Sequence, residues 1–484
     1  MEISKNKVAS SLLWKFFERI GSQLATFILG IILARLLSPT EYGTVALVTI
    51  FVSVATVFVQ GGFNTALIQK KEIERDDYKS VLWFSLLIAL ILYVLLFFAA
   101  ILIAKFYSND ELIPIVRVLS FILFPGAVNS IQVAYVTKQM QFKKLFISNF
   151  LSVIVGGVAG VLMAITGFGV WAIVVQQLFT QVLNCVMMAI VAPVKLTGKF
   201  SSQAIKSLIP FGSKVLASNL LVTIFLDIRS LIIGKKYSTE DLAYFNRGKA
   251  FTSTIMDAVN GTVQTVMLPS FANCQDDRII LLNMLRKTIQ INCYIVFPCL
   301  IGVAAIAEPL VLLLLTEKWR DCIIYLQIFA ISYLFQPMQI ASAQAIKAIG
   351  KSGITLFIEI IRKTIEIISL AIALFIGVKA IAISSIVSGF LSYLISLPFN
   401  KRYLTYGIFA QLIDFIKPLL SSTVMFIVVY FAISMIKYIW LKLCVGLFLG
   451  AVTYLLTSLL LKDTTLKYLI TSIKSFLNKK EKNV

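Results

Sequence analysis

The sequence predicts an all-α polytopic membrane protein of about fourteen transmembrane helices, arranged as two six-helix lobes followed by two extra C-terminal helices. Three observations carry this prediction. The 484 residues are 59% apolar and only 14% charged, with a mean hydropathy of +0.92, a composition unlike that of water-soluble chains. Apolar runs of about eighteen residues or more recur from end to end between short polar segments, and only a helix or a closed barrel satisfies its own backbone in lipid. Landmarks of the first half also return in the second at a nearly constant spacing.

The first helix, Leu12 to Pro39, is apolar but carries Lys15, Glu18, Arg19, Ser22 and Thr26 at steps of three and four, which places them on one face. A charge in the hydrocarbon costs at least ~2.5 kcal/mol, so this face is expected to look into a protein-lined, watery space, Lys15 being equally placed to snorkel to the interface. The charges break the run, so no cleavable signal is expected. Spans follow at about 43–63, 80–104, 112–136, 145–166, 170–192, 208–234, 242–271, 288–315, 322–346, 354–377, 379–398, 417–436 and 439–461.

An even number of spans puts both termini on one side. With the termini cytoplasmic, inner segments hold twenty-six of the 44 lysines and arginines and outer segments eight, as the positive-inside rule requires. The net charge of +21 therefore reflects topology, and no nucleic-acid partner is expected. Lys462–Lys482 sets Leu466, Leu469, Ile470, Ile473 and Leu477 opposite lysines, the pattern of a helix lying on the inner leaflet or of a solvated tail. With no histidine and no C-x-x-C pair among six cysteines, His-based catalysis and Cys or His metal sites are excluded, and the cysteines read as packing residues. The outer loops are turns, too short for an extramembrane domain.

The repeat organises the bundle. LSFILFPGAVNSIQ from Leu119 aligns with ISYLFQPMQIASAQ from Ile331, an offset of 212 that matches Ser120, Pro125, Ser130 and Gln132 to Ser332, Pro337, Ser342 and Gln344. Gly169 with VWAI matches Gly377 with VKAI, and Arg35, Ser38 and Glu41 match Lys235, Ser238 and Asp241. Domains of 1–200 (spans one to six), 201–400 (seven to twelve) and 401–484 (two further spans and a basic tail) are expected. Parallel repeats are a transporter architecture with substrate bound between the halves. Pro125 and Pro337 are candidate hinges, since each removes a hydrogen bond in mid-span.

Polar stripes mark the candidate site. Asn246, Lys249, Ser253, Asp257, Asn260 and Gln264 line one face of span eight, with Arg247 beside them. In span eleven, Glu359, Arg362, Lys363 and Glu366 share a face, where Glu359–Lys363 and Arg362–Glu366 are spaced to pair at i,i+4, either as ion-pair glue or as a hydrated wall. Gln177 and Gln181 in span six, Lys214, Asn219, Asp227 and Arg229 in span seven, and Gln336 and Gln339 in span ten add to these. Ten basic residues fall inside spans, Lys15, Arg19, Arg35, Arg117, Lys214, Arg229, Arg247, Lys249, Arg362 and Lys363, against six acidic ones. A cationic, amide-rich cavity suits a large hydrophilic anion, because guanidinium and ammonium groups meet phosphate while amides meet hydroxyls. Lys15, Arg19, Lys214, Asn246, Arg247, Lys249, Arg362 and Lys363 are the expected substrate-binding set. Gln177, Gln181, Asn219, Asn260, Gln264, Gln336 and Gln339 are the expected polar lining.

LARLLSPTEYGTVAL from Leu33, GGFNTALIQKKE from Gly61, LAYFNRGKA from Leu242, VMLPSFANCQDD from Val266 and FPCLIGVAAIAEPLVLLLLTEKW from Phe297 resemble the polysaccharide transporters of the multidrug/oligosaccharidyl-lipid/polysaccharide exporter superfamily. The branch is that of the Wzx-type oligosaccharide flippases, such as colanic acid and teichuronic acid exporters. The resemblance implies two six-helix lobes that alternate access while flipping an undecaprenyl-diphosphate-linked repeat unit across the bacterial inner membrane. It implies no enzymatic activity and no cofactor, with polymerase and chain-length machinery as further partners. Coupling to a Na+ or H+ gradient needs a carboxylate, for which Glu18 and Asp257 are the candidates. The alternative is a cation-coupled multidrug antiporter of the same superfamily, which would favour an acidic, aromatic cavity.

Overall fold

The computed structural model describes residues 5–60, 62–70, 75–193, 199–272, 274, 276–463, 465, 466, 468 and 471, with backbone alone at 5–13, 15–17, 19, 20, 75, 260–266, 268 and 269. Every regular element among them is helical. The chain divides into two compact units, Met1–Ala243 and Tyr244–Val484. The first holds α1 (Lys5–Leu36), α2 (Pro39–Gln60), α3 (Phe63–Gln69), α4 (Arg75–Tyr107), α5 (Leu112–Leu119), α6 (Leu123–Lys138), α7 (Phe142–Ile165), α8 (Val170–Val191), α9 (Ser202–Lys236) and the first turn of α10 (Thr239–Ala272). The second holds the rest of α10, α11 (Arg278–Ala305), α12 (Ala307–Leu315), α13 (Cys322–Ser332), α14 (Gln336–Ala348), α15 (Ser352–Ala373), α16 (Val378–Leu404), α17 (Ile408–Ser434) and α18 (Ile439–Leu460). The sequence boundary at residue 200 and this division differ by α9, which packs on α2, α3 and α4.

Among the described residues, eleven helices are long and apolar enough to cross a membrane, where fourteen were expected. The three expected spans outside that set are α1, α10 and α15, the same three that carry the polar stripes. In α1 side chains are described without a break only from Gly21, and Gly21–Leu36 is apolar but shorter than a span. In α15 four charges occupy the helix centre and lower its hydropathy, so length and apolarity alone pass over it.

The repeat is visible in geometry within each unit. A 3₁₀ turn, Ser120–Ile122, separates α5 from α6, and another, Tyr333–Phe335, separates α13 from α14. Each lies at the fourth residue before the matched proline, Phe121 for Pro125 and Tyr333 for Pro337, where a proline ring displaces the carbonyl it would otherwise bond. Gly169 and Gly377 precede α8 and α16 with φ of 54° and 149°, a region closed to most side chains. Ser38 caps α2: its N–H and Oγ both donate to Glu41 Oε2 (2.6 and 2.9 Å), and the Glu41 N–H returns to Ser38 Oγ at 3.3 Å. Ser238 and Asp241 close the same capping box at the start of α10. In the first unit these two starts abut, since Thr40 Oγ1 donates to Glu240 Oε1 at 2.8 Å and a Cβ on Gly43 would sit 1.9 Å from the Thr239 carbonyl.

In the second unit α11 is the hub, with Leu285, Val296 and Leu300 fully buried among α13, α14, α17 and α18. The two helices beyond the repeat are therefore built into this core: Tyr454 on α18 donates to the Tyr294 carbonyl at 2.8 Å. Asp414 on α17 accepts Arg286 Nε and Nη2 (2.7 and 2.9 Å), Gln290 Nε2 (2.8 Å) and the Tyr406 hydroxyl (2.7 Å). Burial, reinforced by that bond to Asp414, pushes the Tyr406 hydroxyl well above the ordinary phenol range, which keeps it a donor. All six cysteines are free thiols. Most of Lys462–Lys482 lies outside the described residues.

Candidate functional site

In the first unit a face of small residues draws three helices together. Ser148, Ser152, Gly156 and Gly160 on α7 recur every four residues and are buried. A Cβ on Gly156 would lie 2.1 Å from Thr180 Oγ1, and one on Gly160 would lie 2.7 Å from Gln176 Cβ, so α7 and α8 touch nearly backbone to backbone. This approach joins polar side chains from α8, α7 and α1: Asn184 Nδ2 donates to Asn149 Oδ1 (2.7 Å), and Asn149 Nδ2 donates to Glu18 Oε1 (2.9 Å). Glu18, a candidate coupling carboxylate, is thus held on an amide chain. Gln181 and Gln60 converge on Gly126, whose Cβ would fall 3.8 and 2.7 Å from their side-chain nitrogens, one residue past Pro125. Gln177 is half-buried on the same helix, α8. On α9, Asp227 accepts a bond from Ser53 Oγ at 2.9 Å, whereas Lys214 and Asn219 are exposed. The side chains of Lys15 and Arg19 lie outside the described residues.

In the second unit α10 packs its first turns on α13. A Cβ on Gly248 would meet Tyr325 Cβ and the Leu326 nitrogen at 2.7 Å, and Phe245 lies edge-on to Phe329. Asn246 and Lys249 are half-buried on the other face, and Asp257, the second coupling candidate, is exposed. Arg247 departs from that stripe, its guanidinium stacking 5.6 Å from the centroid of the buried Trp319 ring. Asn260 and Gln264 lie outside the described side chains.

The span-eleven charges pair differently from the i,i+4 expectation. Arg362 Nη1 donates to Glu359 Oε2 and Lys363 Nζ to Glu366 Oε2, both at 2.8 Å and both at i,i+3. Arg362 also turns its other terminal nitrogen to Gln339 Oε1, which draws the guanidinium back along the helix toward Glu359. Arg117, counted among the cationic residues, is engaged as well, with Nε on the Phe97 carbonyl at 3.3 Å and its guanidinium 4.2 Å from the Phe97 ring centre. Four of the ten intramembrane cations, Arg117, Arg247, Arg362 and Lys363, are thus matched to a ring, a carboxylate or an amide.

Gln339, Ser342, Thr355, Glu359, Arg362 and Asn400 line a small, partly enclosed pocket formed by α14, α15 and α16, with about 20 Å³ of water-sized space. Asn400 Nδ2 donates to Ser342 Oγ (3.1 Å) and to Gln411 Oε1 (2.9 Å), and Gln339 Nε2 to the Gly389 carbonyl (3.1 Å). Gln336 is half-buried one turn before Gln339. The polar character of α15 and Gln339 was legible as spacing. Asn149 was not, being a lone amide in an apolar run, nor were Asn400 and Asp414, which stand just outside the expected spans at 398 and 417.

Residues 32–324 match the polysaccharide biosynthesis protein family. The chain belongs to that family. Family relatives include the succinoglycan biosynthesis transport protein ExoT of Rhizobium meliloti, 25% identical over 66% of this chain and 64% of its own length. The teichuronic acid biosynthesis protein TuaB of Bacillus subtilis is 24% identical over 63% of both chains. The chain spans a little under two thirds of the length of these curated relatives. Among solved structures, the lipid II flippase MurJ in an inward-closed conformation is similar with a TM-score of 0.74 and 17% identity, covering 94% of this chain and 99% of that one. An inward-facing multidrug resistance MATE transporter of the MOP superfamily follows with a TM-score of 0.64, 16% identity and 79% of this chain. These likenesses establish the fold, and the family member is a multi-pass helical membrane protein.

Proposed function

We propose that this protein is a flippase that moves a lipid-linked oligosaccharide, carried on undecaprenyl diphosphate, across the bacterial inner membrane for surface polysaccharide synthesis. One observation carries the reading: a chain of the polysaccharide biosynthesis family has the fold of a lipid II flippase over 94% of its length. The polar side chains on the helices support it. Amides and hydroxyls meet sugar, a basic excess suits diphosphate, and the lipid tail needs no polar partner. Alternating access driven by a Na+ or H+ gradient, cytoplasmic termini, and handover to polymerase and chain-length machinery complete the proposal.

The test uses a strain whose own exporter gene is deleted. Expression of this chain should restore surface glycan and deplete the lipid-linked repeat unit from the cytoplasmic leaflet. The MATE likeness favours a second reading, a cation-coupled drug antiporter. Raised resistance to cationic drugs, with the lipid-linked pool unchanged, would establish that reading instead.

A further inference from the structure

We infer that Arg117 anchors an anionic phospholipid on the outside of the first unit, the guanidinium taking the phosphate and the apolar side chains around it taking the acyl chains. The site is separate from the polar faces invoked for transport and does not rest on the flippase reading.

α4 has 33 residues and the span Leu112–Lys138, which α5 opens, has 27, so both exceed the ~20 that cross ~30 Å of hydrocarbon. Arg117 lies eight residues from the midpoint of its span, Pro125, and Phe97 six from the midpoint of α4, Ile91. These offsets put them ~12 and ~9 Å from the bilayer centre, inside the ~15 Å half-thickness. Because α5 begins at the nearer surface, an extended arginine leaning toward the helix N-terminus would snorkel to the interface. Arg117 turns to Phe97 instead, with Nε on its carbonyl and the guanidinium over its ring, and is held below the surface.

The face around it is apolar. Leu112, Ile115, Val116 and Leu119 are buried where α5 packs on α2, α4 and α8, and Arg117 is half-buried on the other side. Beside it Leu95, Phe98 and Leu102 on α4 and Val118 and Phe121 on the second span are all 37% exposed or more, a surface made for acyl chains. Nη1 and Nη2 of Arg117 have no acceptor among the described residues, and neither is enclosed. Asp110 and Glu111 are exposed in the turn ~9 Å further out, where Lys105 and Lys235 offset their charge. A ring and a carbonyl ease the guanidinium but do not neutralise it, and an uncompensated charge at this depth is costly. The two free N–H groups form a fork that fits two oxygens of a phosphodiester. A phospholipid brings that group together with chains that lie on Phe98 and Phe121. Its headgroup must carry net negative charge, because a zwitterionic one supplies its own ammonium to the phosphate.

The test places the whole protein in phosphatidylcholine vesicles carrying a trace of phosphatidylglycerol with a photoactivatable acyl chain, and maps the cross-linked peptides. Wild type should be labelled between Leu90 and Phe124, and a phosphatidylcholine probe with the same chain should label that stretch about tenfold less, as the loss of a charge-assisted bond predicts. Arg117→Gln, which keeps most of the length and removes the charge, should lower the phosphatidylglycerol label there by about the same factor. Label at the lysine-rich ends of other helices should stay at the wild-type level and reports folded protein. Arg117→Lys keeps the charge without the fork and should fall between, which reads the site even if Arg117→Gln does not fold. Excess glycerol phosphate, a headgroup without chains, should leave the label in place. Displacement by it would reassign Arg117 to free phosphate and overturn the lipid site. Equal labelling of wild type by both probes, or wild-type labelling in Arg117→Gln and Arg117→Lys, would overturn it as well.

Discussion

Arg286 and Asp414 lie 128 residues apart and meet in a bidentate ion pair at 2.7 and 2.9 Å, with the Asp414 side chain 3% exposed and that of Arg286 38%. The pair fastens α17 to the hub helix α11 and explains why two helices outside the repeat belong to the core of the second unit. The two partners are not equivalent. Arg286→Ala leaves a buried carboxylate with only Gln290 and Tyr406, whereas Asp414→Ala leaves a guanidinium that can turn to water. We expect Arg286→Ala to lower unfolding stability by about 3 kcal/mol and Asp414→Ala by less, with the double variant close to Asp414→Ala alone. Thermal unfolding in detergent checks the order, and additive losses would mean the pair is not coupled.

The matched capping boxes give a second expectation. Ser38→Ala and Ser238→Ala each remove one side-chain cap and should each cost about 1 kcal/mol, with no further loss when the partner Glu41 or Asp241 is also neutralised. The same unfolding measurement, made as a four-member cycle, reads this.

Gly156 is a packing position. Adding one methyl meets Thr180 Oγ1 at 2.1 Å and Thr180 Cα at 2.9 Å, so α8 must move away. Gly156→Ala should therefore destabilise by about 1 to 3 kcal/mol. Gly353→Ala, with nothing within 4 Å, should be neutral or slightly stabilising. Equal melting temperatures for the two variants would count against the close α7–α8 approach.

Arg247 stacks on Trp319 and also carries the site expectation. If its charge serves transport, Arg247→Lys should retain surface glycan and Arg247→Leu should lose it, at similar levels of protein in the membrane. Retained glycan in Arg247→Leu removes the residue from the site and leaves it a packing contact.

Coupling distinguishes the two carboxylates. Glu18 is held by Asn149 on an amide chain, whereas Asp257 is exposed. Glu18→Gln should flip substrate without dependence on an imposed Na+ or H+ gradient, and Asp257→Asn should keep that dependence. Gradient dependence preserved in Glu18→Gln would exclude it as the coupling group.

Legibility followed physical range. Pro125 and Pro337 announced their breaks locally, because a ring and a missing donor act within four residues. Ser38 with Glu41 and Ser238 with Asp241 could be matched by spacing because a helix cap is closed within one turn. Glu359 to Glu366 was legible as a charged face, but not its partnering, since Gln339 arrives from another helix to orient Arg362.

The sequence by itself determined the class of the protein, its apolar helices, its repeat and the positions of its intramembrane charges, because hydropathy, periodicity and cap chemistry are properties of neighbouring residues. Tertiary structure decided which charges remain open to a ligand. Half-buried cations take their partners through space, and the partner is set by which helices pack: Asp414 for Arg286, Trp319 for Arg247, Phe97 for Arg117.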